Sequence, residues 1–520
     1  MNNQRMCAIA IAVFFMSLYC LFSIGHYGGD GYEDYLTAKS IVLNHSLAFN
    51  DSPTDIDGFG YMKKSGIEGS GGNTYSSRGG LAVPVILSVF FYTGHITAHF
   101  FKNIPHDFIT MFFVSFSNPL VSAINCLLIF IISTNLFFSR RISIILAFIY
   151  GLATMAPAYS RTGFEEPVMI LFMLFAFYFI LKYKNSAEIK YLLLAGTAIG
   201  LSVFTKSTAI IFLPAFTIYA CCLIFSGARA KAEILKDASV LLTVLAVFLV
   251  LITAYNYVIY GKLLKFGSRE ALAVTGRVAE APHVLKGLYY YLISTGKGFF
   301  IFNLPIILSF IGLAGISGKR KKEAVLFLLI FISSLIFFAM SFRRGSLFAW
   351  GPRYLLPSVA FLIFLIGDFL ENNKNLTAKS AAWVLSIAGF FIMLPCMLIN
   401  QSKFYFFVKE KLGIPEYMVN FIPDLSPILG GWKMVITRII FITKGLDIPF
   451  VYNPDYRLIS PVRGSMSGYN NFDFWFLKVL GIRSEYNMQV FGLLLLLVIA
   501  VAFSLTYIVR STYSKAAVKD

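Results

Sequence analysis

The stretch ASVLLTVLAVFLVLITAYNYV, residues 238–258, carries no charged side chain. An α-helix needs about 20 consecutive apolar residues to cross the hydrocarbon of a bilayer, and this stretch meets that length. Spans of similar character recur along the chain, so the sequence predicts a bundle of membrane-spanning helices. The further spans are 6–25, 81–99, 112–137, 142–158, 166–183, 189–204, 206–225, 299–317, 324–341, 353–370, 379–399 and 490–509.

The composition agrees with a membrane protein. Of the 520 residues, 58% are hydrophobic and only 13% are charged, which is too little polar surface for a soluble domain of this size. The formal net charge is +18, but the basic residues lie mostly in short loops between apolar spans. We therefore attribute the charge to the positive-inside bias and expect no binding of nucleic acid, which needs a continuous basic surface.

The basic loops also predict the topology. Arg140, Lys184, Lys231, Arg320 and the C-terminal tail fall in alternate loops, which the positive-inside rule places, with the N-terminus, in the cytoplasm. An even number of crossings must then precede Arg140, yet three spans do. The span 81–99 is the weakest, because it contains a proline and ends in histidines. We predict that it is an interfacial or re-entrant helix, which leaves about 12 crossings and both termini inside.

This topology predicts three sizeable extracytoplasmic segments, at 26–111, 259–298 and 400–489. The last is polar, aromatic and too long for a simple turn. We divide the chain into a transmembrane module, 1–370, and C-terminal helices, 371–520. The predicted fold class is an all-α polytopic membrane protein integral to the cell membrane.

The first outer loop opens on Gly28-Gly29-Asp30-Gly31-Tyr32-Glu33-Asp34-Tyr35. A carboxylate at the outer mouth of a helix bundle can act as a general base or hold a metal ion. Asp30 and Asp34 are therefore candidate catalytic residues. The alternative is a solvated acidic loop without a chemical role.

A second acidic site lies in Ser160-Arg161-Thr162-Gly163-Phe164-Glu165-Glu166-Pro167. Two glutamates at the start of a helix are favoured by the helix dipole, which is a purely structural explanation. Glu165 and Glu166 can equally be acids that face the first loop across a cavity. The sequence leaves both interpretations open.

Several cations fall on the predicted outer side, against the positive-inside bias. Lys206, Lys297 and Arg353 lie at the ends of apolar spans, in Phe204-Thr205-Lys206-Ser207, Ser294-Thr295-Gly296-Lys297-Gly298 and Trp350-Gly351-Pro352-Arg353-Tyr354. A lipid-linked phosphate would explain them, because lysine and arginine hold phosphate by charge-assisted hydrogen bonds. The alternative is headgroup anchoring, which we prefer for Arg344.

Neither cysteines nor histidines predict a metal site. The six cysteines lie within or at the ends of apolar spans, without a CxxC pair, and we expect buried thiols. The six histidines are scattered, and we expect no ligand pair among them at helical spacing.

Taken in order, these motifs resemble those of the GT-C glycosyltransferases, and more closely the bacterial branch related to protein O-mannosyltransferases and aminoarabinose transferases. The resemblance covers about the first 360 residues. It rests on Asp30-Gly31-Tyr32 with Tyr35-Leu36-Thr37-Ala38-Lys39-Ser40, on Tyr75-Ser76-Ser77-Arg78-Gly79-Gly80, on 160–167, on Gly200-Leu201-Ser202-Val203-Phe204-Thr205-Lys206, on 294–298 and on 350–357.

The resemblance implies a GT-C-like bundle whose large first extracytoplasmic loop contains juxtamembrane helices, the span 81–99 among them. It implies a polyprenyl-phosphate-linked sugar as donor and Asp30 as the general base that deprotonates the acceptor hydroxyl. Glu165 or Glu166 matches a second acidic position. Arg78, Lys206, Lys297 and Arg353 match donor-phosphate contacts. Relatives carry paired acids before the tyrosine, so the resemblance leaves open whether Asp30 acts alone or with Asp34.

The function predicted is inverting transfer of a hexosyl or pentosyl unit to a hydroxyl of a glycan, lipid or protein acceptor at the extracytoplasmic membrane face. The sequence requires no cofactor, although a divalent metal beside Asp30 is compatible with it. The alternative is a lipid or glycolipid transporter without transferase activity. That class is expected to carry charges at mid-membrane depth and internal repeats, and we find no repeat.

Overall fold

The structure is a computed structural model. It describes residues 2–26, 31–49, 67–68, 72–76, 80–101, 103–225, 230–261, 263, 281–316, 318–340, 349–373, 375–400, 402–444, 472–482 and 486–513.

The described residues are overwhelmingly helical, which confirms the predicted all-α polytopic class. The α-helices are α1 (Asn2–Leu21), α2 (Tyr32–Asn44), α3 (Ala82–Ala98), α4 (His106–Val114), α5 (Ser117–Asn135), α6 (Arg140–Ala153), α7 (Ala156–Ser160), α8 (Glu166–Ser186), α9 (Ile189–Thr205), α10 (Leu213–Ile224), α11 (Lys231–Tyr260), α12 (Ala281–Ile293), α13 (Phe299–Phe302), α14 (Ile307–Leu313), α15 (Lys321–Ala339), α16 (Leu356–Asn372), α17 (Leu376–Leu398), α18 (Ser402–Lys411), α19 (Pro427–Thr443), α20 (Trp475–Ile482) and α21 (Asn487–Tyr513).

Short 3₁₀-helices extend or join several of these helices. They span Ser207–Phe212, Leu304–Ile306, Gly318–Arg320, Arg353–Leu355, Glu416–Asn420 and Pro423–Leu425. Two short strands, β1 (Ile67–Glu68) and β2 (Thr74–Tyr75), pair antiparallel within the first outer loop, with Ile67 opposite Tyr75.

Nine of the helical stretches in the described ranges are long and apolar enough to cross a membrane, and three shorter apolar helices accompany them. The uncharged stretch 238–258 lies in α11, which spans 30 residues. The helix is followed by Gly261 in a left-handed conformation. Most of its apolar side chains face outward, among them Leu242, Val250 and Val258. Such an apolar surface is suited to lipid contact, so the chain is an integral multi-pass membrane protein.

The centre of the bundle is formed by α16, in which every residue from Leu356 to Phe369 is buried. Aromatic rings pack against it from α8 and α15. Phe177 lies 5.9 Å from Phe361 and 5.2 Å from Phe327, centroid to centroid. Edge-on ring contacts of this kind add to the burial of apolar area, and they fix the helices on which the candidate site is built.

The span 81–99 forms α3, which packs with α2 and α4 rather than deep in the bundle. The ring centroids of Tyr35 and Phe91 lie 5.7 Å apart, and the Tyr35 hydroxyl is 2.8 Å from Thr110 Oγ1. A Cβ on Gly94 would lie 2.9 Å from Thr110 Cα, so α3 and α4 approach closely. This three-helix unit matches the expected juxtamembrane helices of the first loop. The number of crossings stays a prediction.

Several predicted spans are interrupted or irregular helices. The span 142–158 breaks at Thr154, the span 206–225 begins as a 3₁₀-helix, and the span 299–317 breaks at Asn303. The backbone N–H of Met155 donates to Asn303 Oδ1 at 2.9 Å. The two breaks therefore lie together, and the amide satisfies a backbone group that an unbroken helix would have satisfied itself.

The prediction that the segment 400–489 is polar is wrong in one respect. The segment contains α19, a largely apolar helix of 17 residues. This helix packs on α17, and Trp432 Nε1 donates to the Phe391 carbonyl at 3.1 Å. Apolar side chains of α19, including Ile436 and Ile439, stay exposed. The sequence did not predict this helix because Lys433 and Arg438 interrupt its apolar residues and Pro427 begins it. Residues 445–471 lie outside the described ranges.

Basic residues from distant loops meet at one end of the bundle. Arg140 donates to the Ser511 carbonyl, and Arg320 pairs with Asp368 at 2.7 Å. Lys184 lies 2.7 Å from Glu323. The loops that the positive-inside rule groups together therefore share one end of the bundle. Its orientation in the membrane stays a prediction, and we use that prediction only to label this end cytoplasmic and the opposite end outer.

Candidate functional site

Glu165 and Glu166 stand where α8 begins, with Pro167 in its first turn. Both are buried, with Glu166 only 1% exposed. A buried carboxylate must be paired or hydrogen-bonded to stay ionised. The side chains around Glu166 show how this is achieved.

Lys206 provides the first partner. It follows α9 in an extended conformation (φ −150°, ψ 120°), and this break between α9 and the next 3₁₀-helix turns its side chain towards α8. Lys206 Nζ lies 2.6 Å from Glu166 Oε1 and 3.5 Å from Glu165 Oε2. The pair is buried on both sides, so solvent screens it little.

Arg353 provides the second partner. It begins the 3₁₀-helix that precedes α16, and its Nε lies 3.2 Å from the same Glu166 oxygen. Its guanidinium lies 4.4 Å from the ring centroid of Phe164 and 4.9 Å from that of Tyr354. Cation–π contacts of this type hold an arginine in one orientation.

Lys297 lies in the same region, in the turn before α13. It is 1% exposed, donates to the Ala349 carbonyl, and lies 5.6 Å from the ring centroid of Tyr405. Burial lowers the pKa of Lys297 well below its usual value, and the positive charge of Arg353 lowers it further. Lys297 and Arg353 are thus electrostatically coupled.

We call Glu165, Glu166, Lys206, Lys297 and Arg353 the outer charge cluster. All five side chains are buried, and three of them are basic against two carboxylates. An excess of basic groups over acids favours an incoming anion, which Lys297 can meet by taking up a proton. The sequence placed all five as site candidates, and the structure brings them together.

The first loop reaches the same end of the bundle. Asp34 is fully buried on α2 and interacts electrostatically with Tyr255 and Tyr260 of α11. A Cβ on Gly80 would lie 2.1 Å from the carbonyl oxygen of Thr205, the residue before Lys206. The loop therefore packs directly on the chain that carries Lys206. Asp30, Arg78 and Arg344 lie outside the described residues.

A second buried charged group was missed by the sequence analysis. Asp473 lies 2.7 Å from Lys478 Nζ, and its backbone carbonyl accepts from Arg161, which also donates to the Cys396 carbonyl at 2.6 Å. Burial alone would raise the pKa of Asp473, but Lys478, Lys403 and Arg161 outweigh it and hold the pKa well below its usual range. We call these four residues the Asp473 group.

The Asp473 group adjoins the outer charge cluster across α7. Tyr159 on that helix interacts electrostatically with Arg353 and Glu166, and also with Cys396, whose carbonyl accepts from Arg161. The sequence signal for this group was the acid in Asp473-Phe474-Trp475, and its partner Arg161 could not be recognised because it is 312 positions away.

The expectation about histidines is wrong. His95 and His99 are four residues apart on α3, and His95 Nδ1 lies 2.8 Å from His106 Nε2 on α4. The spacing of His95 and His99 was overlooked because the histidines were used only as a reason to doubt that 81–99 crosses the membrane. Within the described part of the chain, no group of three or more His, Cys, Asp or Glu side chains has an arrangement suited to a metal ion.

Comparison with known proteins gives one family match, over about a third of the chain. Residues 94–257 match the model of the dolichyl-phosphate-mannose-protein mannosyltransferase family. This stretch includes Glu165, Glu166 and Lys206. No curated protein matches the chain in sequence.

Among solved structures, the chain is similar to ArnT from Cupriavidus metallidurans. The apo form is 11% identical, with a TM-score of 0.45 over 98% of this chain and 76% of that one. The form bound to undecaprenyl phosphate is 12% identical, with a TM-score of 0.39 over 87% and 83%. The match of residues 94–257 to the mannosyltransferase family model confirms the predicted resemblance to GT-C membrane glycosyltransferases of the protein O-mannosyltransferase type over that part of the chain.

Proposed function

We propose that this protein transfers a sugar from a polyprenyl-phosphate-linked donor to an acceptor hydroxyl at the extracytoplasmic membrane face. The observation that carries the proposal is the convergence of Lys206, Arg353 and Lys297, from three distant parts of the chain, in one buried outer charge cluster. The matching family model supports the donor class, because that family is named for a polyprenyl-phosphate-linked sugar.

The donor phosphate would be held by the cations of the cluster. When the bond from the sugar to the phosphate breaks, negative charge develops on the departing phosphate. Fixed cations in a site of low dielectric stabilise that charge, and losing one such group typically costs about 100- to 1000-fold in rate. A lipid phosphate is already a good leaving group, so no general acid is needed on this side.

The acceptor hydroxyl would be activated by the first loop. A hydroxyl is a poor nucleophile near neutral pH, and a carboxylate within hydrogen-bond reach removes its proton as it attacks. We assign this role to Asp30, with Asp34 as its rival. A single displacement by the acceptor inverts the configuration at the sugar carbon.

Acceptor recognition falls to the segment 400–489 in this proposal. Its helices α18 and α20 bring Lys403 and Lys478 to the Asp473 group, which borders the outer charge cluster. A site with both a carboxylate and cations suits a polar acceptor with hydroxyl and charged groups.

The test is Asp30→Asn, with Asp34→Asn in parallel, in purified protein given a panel of radiolabelled polyprenyl-phosphate sugars. We expect Asp30→Asn to abolish transfer while it keeps donor binding and the melting temperature of the wild type. Near wild-type transfer by Asp30→Asn would assign the base elsewhere. If the wild type moves labelled lipid across liposomes but transfers no sugar from any donor, the transporter class is correct instead.

A further inference from the structure

A groove separates α6 from α17 at the end of the bundle that we take as cytoplasmic, far from the outer charge cluster. It encloses about 890 Å³, part of which is open to the surroundings. The basic residues Arg141 and Lys379 and the exposed indole of Trp383 line it. The proposed glycosyl transfer uses none of these residues.

The groove exists because two helices diverge. Towards the outer end, α6 and α17 touch, and a Cβ on Gly389 would lie 2.4 Å from the carbonyl oxygen of Ala153. Towards their first turns they separate, and the end of α16 lies between them with Leu370 and Glu371 on the groove wall. The result is a wedge-shaped gap, closed at the outer end and open at the cytoplasmic end.

The walls of the wedge between its mouth and its closed outer end are apolar. Ile142, Ile145 and Ile149 have the spacing of one helix face on α6. On α17, Ala382 and Trp383 lie opposite, and Trp383 is 57% exposed. Apolar side chains beside the gap, such as Val384 and Ile387, are also exposed, so the groove opens onto a lipid-facing surface rather than onto water.

The mouth of the wedge is polar and carries a net positive charge. Arg141 and Lys379 are exposed there, against one carboxylate, Glu371. That carboxylate is engaged by Ser139, whose backbone N–H and hydroxyl lie 3.3 and 3.4 Å from Glu371 Oε2. With two cations against one carboxylate, this part of the groove favours an anion placed at the membrane surface.

We propose that this groove binds an anionic phospholipid. One acyl chain would fill the apolar wedge, and the phosphate would lie between Arg141 and Lys379. The two ends of the groove match the two ends of such a lipid, and basic pockets between transmembrane helices are a recognised way to hold anionic head groups. A soluble anion would not use the apolar wall, and a protein partner would not need a gap that narrows into the bilayer.

The experiment uses the fluorescence of Trp383 in the full-length protein reconstituted in neutral bilayers. Bromine on an acyl chain quenches tryptophan at contact distance. Brominated phosphatidylglycerol or brominated phosphatidylcholine is added at equal mole fraction. The signal lost in Trp383→Phe isolates the contribution of Trp383 from that of the other three tryptophans. We expect at least about twofold stronger quenching by the anionic lipid at low mole fraction.

The double variant Arg141→Gln/Lys379→Gln should abolish that preference. The matched control is Arg510→Gln/Lys321→Gln, which removes one arginine and one lysine from exposed positions at the same end and should keep the preference. Melting temperatures establish that each variant is folded. Equal quenching by both lipids, a preference that survives the first double variant, or one that the control also loses would each overturn the proposal. Addition of inorganic phosphate should not reduce the quenching; if it does, the site binds soluble anions.

Discussion

Both ends of the bundle bury carboxylates against cations, but they do so in different proportions. At the cytoplasmic end, Glu323 accepts from Lys184 and from the Tyr219 hydroxyl, each at 2.7 Å. At the outer end, Lys206 and Arg353 converge on one Glu166 oxygen, with Lys297 close behind. The buried pairs at the cytoplasmic end match one cation to one carboxylate, whereas the outer charge cluster holds three basic side chains against two carboxylates.

The difference separates stabilising pairs from a site with binding capacity. A balanced pair satisfies its own charges, and its loss mainly affects folding. Lys206 and Arg353 share one carboxylate oxygen of Glu166, so either cation can exchange that partner for a phosphate. The backbone agrees, because Lys206 and Arg353 stand at interruptions of helices, whereas Lys184 and Glu323 lie within regular helices.

The largest effect should come from comparing Lys206→Gln with Lys184→Gln. Each lysine contacts a buried glutamate, at 2.6 and 2.7 Å. We expect Lys206→Gln to lower the rate of sugar transfer by about 100- to 1000-fold, since it removes a cation from the developing phosphate charge. Lys184→Gln should keep the specific activity of the folded protein. Similar activities for the two variants would mean that the outer charge cluster, like the pair of Lys184 and Glu323, only stabilises the fold.

An intermediate effect should distinguish the two glutamates. Glu166→Gln removes the internal anion that occupies Lys206 and Arg353, so we expect undecaprenyl phosphate to bind about tenfold more tightly. Glu323→Gln should leave that affinity unchanged and instead destabilise the fold by about 1–3 kcal/mol, because Lys184 and Tyr219 lose a charged acceptor. Binding is measured by titration and stability by thermal unfolding. Weaker binding by Glu166→Gln would mean that the glutamate assists the phosphate rather than competing with it.

The smallest effect concerns Lys297. Burial lowers its pKa, and a phosphate beside it would raise the pKa again, so binding takes up a proton. Affinity for a polyprenyl phosphate should therefore rise severalfold as the pH falls from about 9.5 to about 7.5, a window above the second phosphate pKa of about 6. Lys297→Met should flatten this dependence, whereas Lys184→Gln should retain it. A pH profile that Lys297→Met leaves unchanged would assign the proton to another group.

The sequence predicts the outer charge cluster well, because a charge at the end of an apolar span is visible without knowledge of the fold. It cannot predict that Arg161 meets Asp473, since the two residues are 312 positions apart. The sequence also cannot predict the helix interruptions at Thr154 and Asn303, because they too depend on a contact between distant residues. Hydropathy averages over a span, whereas a break depends on the amide of Asn303 that reaches across from another helix.

The histidines teach a different lesson. The spacing of His95 and His99 was overlooked although it can be read from the sequence, because the histidines were considered only as polar residues that weaken the span 81–99. Asp30, the residue on which the mechanism most depends, lies outside the described residues and stays a prediction.

The close approach of Gly80 to Thr205 links the first loop to the proposed donor site. The first loop and the segment before Lys206 touch through backbone atoms, without a flexible side chain between them to absorb displacement. A shift of the loop at Gly80 would therefore change the packing of Thr205, the residue before the lysine proposed to hold the donor. We therefore expect acceptor binding at the first loop and donor binding at Lys206 to influence each other through the contact between Gly80 and Thr205.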